Sequence, residues 1–304
     1  MKKFLYYTAL AALIISLAAC GISDRPEEPE TPDPALEEIG EKTLDPEETA
    51  KKMEAILPPF AAAFDEAAEL VADAAADFVP PVRCEDGTLF LPYETLVERY
   101  AVPETEAAMQ QWFGNTLFIG DSRTVGMAQF SGLTGADFFA LTGMSVFDAF
   151  KSEVDLRQDG QKTTLEALLQ NKKYDRIYLM LGINELGYSL SSIEKKYEEV
   201  TARVKELQPQ ARLWLQANMH VTQGRSDKDP TFNNNTINAL NAVIHDISLR
   251  QETGWLDINP VFDDANGHLD IDYTFDHTHI VGKHYKYWAL WIYLQSADQS
   301  GLPV

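Results

Sequence analysis

Cysteine is nearly absent: Cys20 and Cys84 are the two in 304 residues, too few for a disulfide framework. Basic residues are scarce as well. Twenty-five lysines and arginines face 47 acids, for a formal net charge of −22, and so acidic a surface repels nucleic acid and anionic lipid. No nucleic-acid partner is therefore expected. The chain has no G-x-G-x-x-G after its first strand and no P-loop, which argues against dinucleotide and nucleoside triphosphate binding. It has no G-x-S-x-G either, because Thr124 stands where that motif needs glycine. No internal repeat is visible.

What is present is a globular composition, 45% hydrophobic and 11% aromatic, sufficient for one domain with appendages. Residues 1–19 carry Lys2 and Lys3 and then an apolar run, a signal-peptide layout too short for a comfortable transmembrane span. The run ends in Leu17-Ala18-Ala19-Cys20, which resembles a bacterial lipobox. That resemblance implies lipidation of Cys20 and a protein anchored to the membrane, on its extracytoplasmic face, without spanning it. Cys84 is then unpaired and reads as a small buried hydrophobe or incidental thiol. Residues 20–46, rich in Pro, Glu and Asp, read as a self-repelling disordered tether. Residues 47–113 form an N-terminal helical region, with Met53, Ile56, Phe60, Phe64 and Val71 near helical spacing, a short strand around 88–91 and a helix at 104–112.

From residue 114 to 304 the pattern alternates strand and helix. Strands are expected at 117–119, 137–141, 176–181, 212–217 and 254–258. Helices are expected at 163–171, from a capping box at 191–194 to Pro209, at 233–250 and at 282–295, the last with Tyr285, Trp288, Ala289 and Ile292 on one face. Strands that are apolar throughout, alternating with helices, indicate an α/β fold with a parallel five-stranded sheet between helices. In such sheets ligands bind beyond the carboxyl ends of the strands. Ser122, Gly143 and Asn184 follow the first, second and third strands, and Asp276-His277-Thr278-His279 lies between the last strand and the last helix.

The blocks Gly120-Asp121-Ser122, Gly143, Gly182-Ile183-Asn184 and Asp276-x-x-His279 occur in the order found in the SGNH (GDSL-type) hydrolases, and residues 115–297 resemble that family. The resemblance implies a flavodoxin-like three-layer fold and an ester hydrolase that needs no cofactor or metal. It makes Ser122 the nucleophile, His279 the base and Asp276 its orienting carboxylate. The N–H groups of Ser122 and Gly143 and the Asn184 amide become the oxyanion donors. The chemistry is coherent by itself: a serine needs a neutral imidazole to take its proton, a carboxylate fixes the imidazole tautomer, and uncharged donors receive the oxyanion. Two residues depart from the family pattern. Arg123 replaces leucine; it reads first as a solvated first-turn residue and second as a contact for an anionic substrate. Glu185 replaces aspartate, with no direct catalytic contact expected.

His220, ending the fourth strand on the same rim, is a candidate substrate contact or a structural residue. His277 and His279 have the spacing of a minimal metal pair, but the Ser/Asn context accounts better for His279. Residues 263–267 read as a turn, since they lack EF-hand spacing. His245, His268 and His284 have no nameable partner in the sequence. The expected substrate is an ester, an O-acetylated cell-wall or other glycan being the first choice. The alternatives are acyl transfer through the same serine and a non-catalytic glycan- or solute-binding lipoprotein.

Overall fold

The computed structural model describes residues 82–83 and 89–301. The signal peptide, the Cys20 lipidation site, the tether, the helices expected before residue 80 and Cys84 lie outside the described residues. Five parallel strands form the sheet: β1 (Thr116–Gly120), β2 (Asp137–Ala140), β3 (Arg176–Met180), β4 (Arg212–Gln216) and β5 (Gly254–Leu256), in spatial order β2-β1-β3-β4-β5. This is the flavodoxin-like order, whose switch point lies beside β1. β3, β4 and β5 end one or two residues earlier than their apolar runs predict, because the remaining apolar residues, Leu181, Ala217 and Ile258, are buried in the loops beyond.

Alternation along the strands sends successive side chains to opposite faces. Phe118, Tyr178 and Trp214 project to one face. Leu117, Ile119, Ile177, Leu179, Leu213 and Leu215 project to the other. On the first face Phe138, Phe118, Tyr178 and Trp214 stack across four strands, with ring centroids 5.1, 4.9 and 5.0 Å apart. The longer helices are α1 (Pro103–Trp112), α2 (Ser122–Phe130), α3 (Leu165–Asn171), α4 (Leu190–Leu207), α5 (Asn234–Arg250) and α6 (Tyr285–Asp298). Residues of α1, α2 and α6 join the aromatic core; those of α3, α4 and α5 join the aliphatic one.

The helix starts follow side-chain caps. Thr164 accepts from the Ala167 N–H and Asn233 from the Thr236 N–H. For α4 the expected box at 191–194 is not the cap: Ser189 takes that place, accepting from the Ser192 N–H, and the helix begins at Leu190.

Residues 91–113, which the sequence reading places in the N-terminal helical region, pack into the aromatic core, where Leu91, Leu96, Met109, Trp112 and Phe113 are buried. Trp112 Nε1 donates to the Tyr178 hydroxyl at 3.0 Å, and that hydroxyl donates to Ser296 Oγ at 2.8 Å. The expected strand near 88–91 is the two-residue Leu89–Phe90, paired antiparallel with Val82–Arg83. Consequently α6 is buried on more than one stripe. Leu290, Trp291, Leu294 and Ala297 are covered as fully as Tyr285, Trp288, Ala289 and Ile292, because α1 and the helical turn at Leu96–Tyr100 pack on the side that would otherwise face water.

Candidate active site

Ser122 is the first residue of α2, directly after β1. Gly120 has to be glycine: a Cβ there would stand 2.0 Å from Thr124 Oγ1 and 2.7 Å from the Met180 carbonyl oxygen. Asp121 caps the helix by accepting from the Arg123 N–H at 2.9 Å. This tight strand-to-helix turn fixes the serine at the sheet edge.

Asp276 organises the loop before α6. Its Oδ1 accepts from the backbone N–H groups of Thr278 (2.9 Å) and His279 (2.7 Å), and its Oδ2 lies 2.7 Å from His279 Nδ1. His277, with φ of 67°, is the residue that lets the loop close. His279 Nε2 then lies 2.8 Å from Ser122 Oγ. The structure thus brings together Ser122, His279 and Asp276 across 157 sequence positions. Burial raises the Asp276 pKa, but the His279 backbone and ring N–H groups and the Thr278 N–H together outweigh it and hold the carboxyl down to about 2. It is a carboxylate throughout the neutral range.

In the loop after β2, Gly143 is exposed with φ of 80°, in a conformation that favours glycine. Asn184 is also exposed, and its Nδ2 donates to the Met144 carbonyl at 2.9 Å, joining the loop after β3 to the loop after β2. One of the two amide N–H groups remains available.

Two expected site residues stand elsewhere. Arg123 is neither solvated nor a surface contact; it is 1% exposed. Its Nη2 donates to the Thr278 carbonyl at 3.2 Å, tying α2 to the loop of Asp276 and His279. Its Nε and Nη1 have no hydrogen-bond partner among the described residues. Burial draws its pKa below the ordinary value, against the pull of Asp121, Tyr285 and Asp276. His220 is buried with both ring nitrogens engaged, Nδ1 by Asp263 at 2.7 Å and Nε2 by Asn238 at 2.6 Å. From the loop after β4 it braces the loop after β5 through Asp263 and α5 through Asn238. His277 Nδ1 lies 3.0 Å from Thr222 Oγ1. His284, without a partner in the sequence reading, meets the Tyr93 hydroxyl at 2.6 Å.

The sequence reading missed a buried carboxylate between the loops that follow β2 and β3. Glu185 is fully buried, and its Oε1 accepts from the Val146 N–H. Its pKa rises from 4.5 to about 7. Burial is the main cause; the charges of Asp121 and Asp148 add to it, and the Val146 and Asn184 N–H groups oppose it. Asp121 is buried too, and burial raises its carboxyl despite Arg123. The signal available in the sequence was the pair of acids, each directly beside a site residue.

A family model described as "GDSL-like Lipase/Acylhydrolase family" matches residues 118–286, more than half of the chain. No curated protein matches it. Among solved structures, the chain is similar to a GDSL-like lipase from Bacteroides thetaiotaomicron, at 13% identity and a TM-score of 0.47, over 66% of this chain and 100% of that one. It is also similar to an acetylxylan esterase from Geobacillus stearothermophilus, at 17% identity and a TM-score of 0.42, over 60% of this chain and 94% of the other.

Proposed function

Since the chain belongs to the GDSL-like lipase/acylhydrolase family and is accordingly an ester hydrolase, we propose that Ser122 is its nucleophile, His279 its general base and Asp276 the carboxylate that orients the base. The observation that carries this is the unbroken relay from Ser122 Oγ to His279 Nε2 (2.8 Å) and from His279 Nδ1 to Asp276 Oδ2 (2.7 Å). Ser122 Oγ attacks the ester carbonyl carbon as its proton passes to Nε2. The imidazolium returns that proton to the departing alkoxide, leaving an acyl-serine. Water, deprotonated by the same nitrogen, attacks the acyl carbon, and the carboxylic acid departs as Ser122 regains its proton. In both halves the oxyanion is received by the N–H groups of Ser122 and Gly143 and by the free Asn184 amide N–H.

The substrate in this reading is an O-acetyl ester of a cell-wall or other glycan, met at the extracytoplasmic face by a protein held there through lipid on Cys20. The support for location is the lipobox-like Leu17-Ala18-Ala19-Cys20 behind an apolar run. A serine-directed organophosphonate is expected to label Ser122 alone. Ser122→Ala and His279→Ala should each abolish turnover of vinyl acetate without lowering the thermal midpoint by more than a few degrees. Ester turnover surviving in Ser122→Ala would refute the acyl-serine assignment. Cys20→Ala should move the protein from the detergent phase to the aqueous phase; equal partitioning of the two forms would refute the anchor.

A further inference from the structure

The two loops that carry the candidate oxyanion donors also carry a pair of aromatic rings. Phe147 follows Val146, whose N–H is held by the buried Glu185 carboxyl. Tyr188 lies on the turn that begins at Asn184 and Glu185, and its N–H donates to the Glu185 carbonyl at 2.8 Å. The two rings pack with centroids 4.9 Å apart and planes tilted by 43°. Phe147 is the footing, half-buried against the aliphatic core, whereas Tyr188 is 63% exposed. Core burial does not account for a large aromatic so placed, and it stands on the turn that begins at a candidate oxyanion donor. Its position is set by the backbone on both sides: Glu185 holds the Phe147 loop through one oxygen and the Tyr188 turn through its carbonyl.

We propose that Tyr188, seated on Phe147, is a stacking platform for an uncharged sugar ring of the ester substrate. This deepens the glycan-ester reading above and rests on it. A sugar ring presents a C–H face to an aromatic and hydroxyls around its edge. The platform offers both matches, since the half-buried Ser145 hydroxyl and the exposed Asp148 carboxylate, hydrogen-bonded to each other, flank Phe147 in the same loop. A fatty acyl chain gains instead from enclosure, which a ring left largely in water does not give. The Asp148 carboxylate, in a chain of net charge −22, sets the platform against uronic acids and other acidic sugars.

The test compares the full chain with its Tyr188→Ala and Tyr188→Trp forms on glucose pentaacetate, vinyl acetate and vinyl octanoate. The ratio of kcat/KM for glucose pentaacetate over vinyl acetate is expected to fall about 3–10-fold in Tyr188→Ala, the size of one aromatic contact. The loss should lie in KM rather than kcat, and Tyr188→Trp should restore the ratio. An equal loss on both acetates, or none, overturns the proposal. A loss that appears on vinyl octanoate and spares glucose pentaacetate makes the ring an acyl support and also overturns it. Calorimetric titration of Ser122→Ala with cellobiose, with and without Tyr188→Ala, reads the platform without turnover. Binding weakened by Tyr188→Ala upholds it and binding that ignores Tyr188 refutes it, even where a wild type inert toward all three esters has refuted the hydrolytic assignment.

Discussion

Replacing Glu185 by glutamine isolates the cost of holding a buried carboxylate under the site. Glutamine has nearly the same shape, and its carbonyl can accept the Val146 N–H as the carboxylate does, but it carries no charge. The folded-state pKa of Glu185 is raised from 4.5 to about 7, chiefly by burial. The folded protein therefore keeps a proton that the unfolded chain gives up, so stability falls as pH rises through this window. The contribution is complete below pH 4.5 and is lost by the time pH passes the folded value near 7. A separation of that size amounts to about 3 kcal/mol, most of which falls between pH 5 and pH 8. Glu185→Gln should therefore gain about 2–3 kcal/mol on the wild type between those two pH values, whatever its offset at pH 5. The pH difference cancels the intrinsic effect of the amide. At about 2–4 °C per kcal/mol for a domain of this size, the relative thermal midpoint should shift by about 5–10 °C. Urea unfolding at both pH values measures it directly, and a difference between the two proteins that does not change with pH refutes the reasoning.

Asn184→Ala should lower kcat by on the order of 10²–10³ with little change in KM, since one oxyanion donor is lost; kcat within threefold of wild type would remove Asn184 from that role. Arg123→Leu cuts the tie between α2 and the Thr278 carbonyl, so kcat and the rate of phosphonate labelling at Ser122 should fall together by on the order of 10-fold or more; a folded variant with both rates unchanged would make the tie irrelevant to catalysis. A chain beginning at residue 114 should not fold, as shown by loss of cooperative thermal unfolding. It would lack Leu91, Leu96, Met109, Trp112 and Phe113, each worth about 1.5–3 kcal/mol, against a total stability of about 5–15 kcal/mol. Removing residues 1–46 should leave ester turnover intact, and loss of activity would place part of that segment in the working domain.

Local chemistry wrote much of this protein into its sequence. Strand and helix periods, the glycine turn before Ser122 and the three-residue spacing of Asp276 and His279 depend on near neighbours. They were legible for that reason, and so was the parallel sheet they imply. The meeting of Ser122 with His279 followed from topology, because both stand at the carboxyl edge where a parallel sheet collects its loops. What contact between distant segments decides could not be read the same way. Arg123 resembles a solvated helix-start residue until its burial and its bond to the Thr278 carbonyl are seen. His220 resembles a free rim histidine until Asp263 and Asn238 take both nitrogens. Residues 91–113 carry no strong period, yet they cover a second side of α6, so the domain begins earlier than its motifs do. Glu185 lies next to Asn184 in sequence, but its burial and raised pKa come from the loop of Val146 and from Asp121. Turn geometry is set within a few residues, whereas the burial of a charge is set by whichever segments fold over it, and those segments stand far away along the chain.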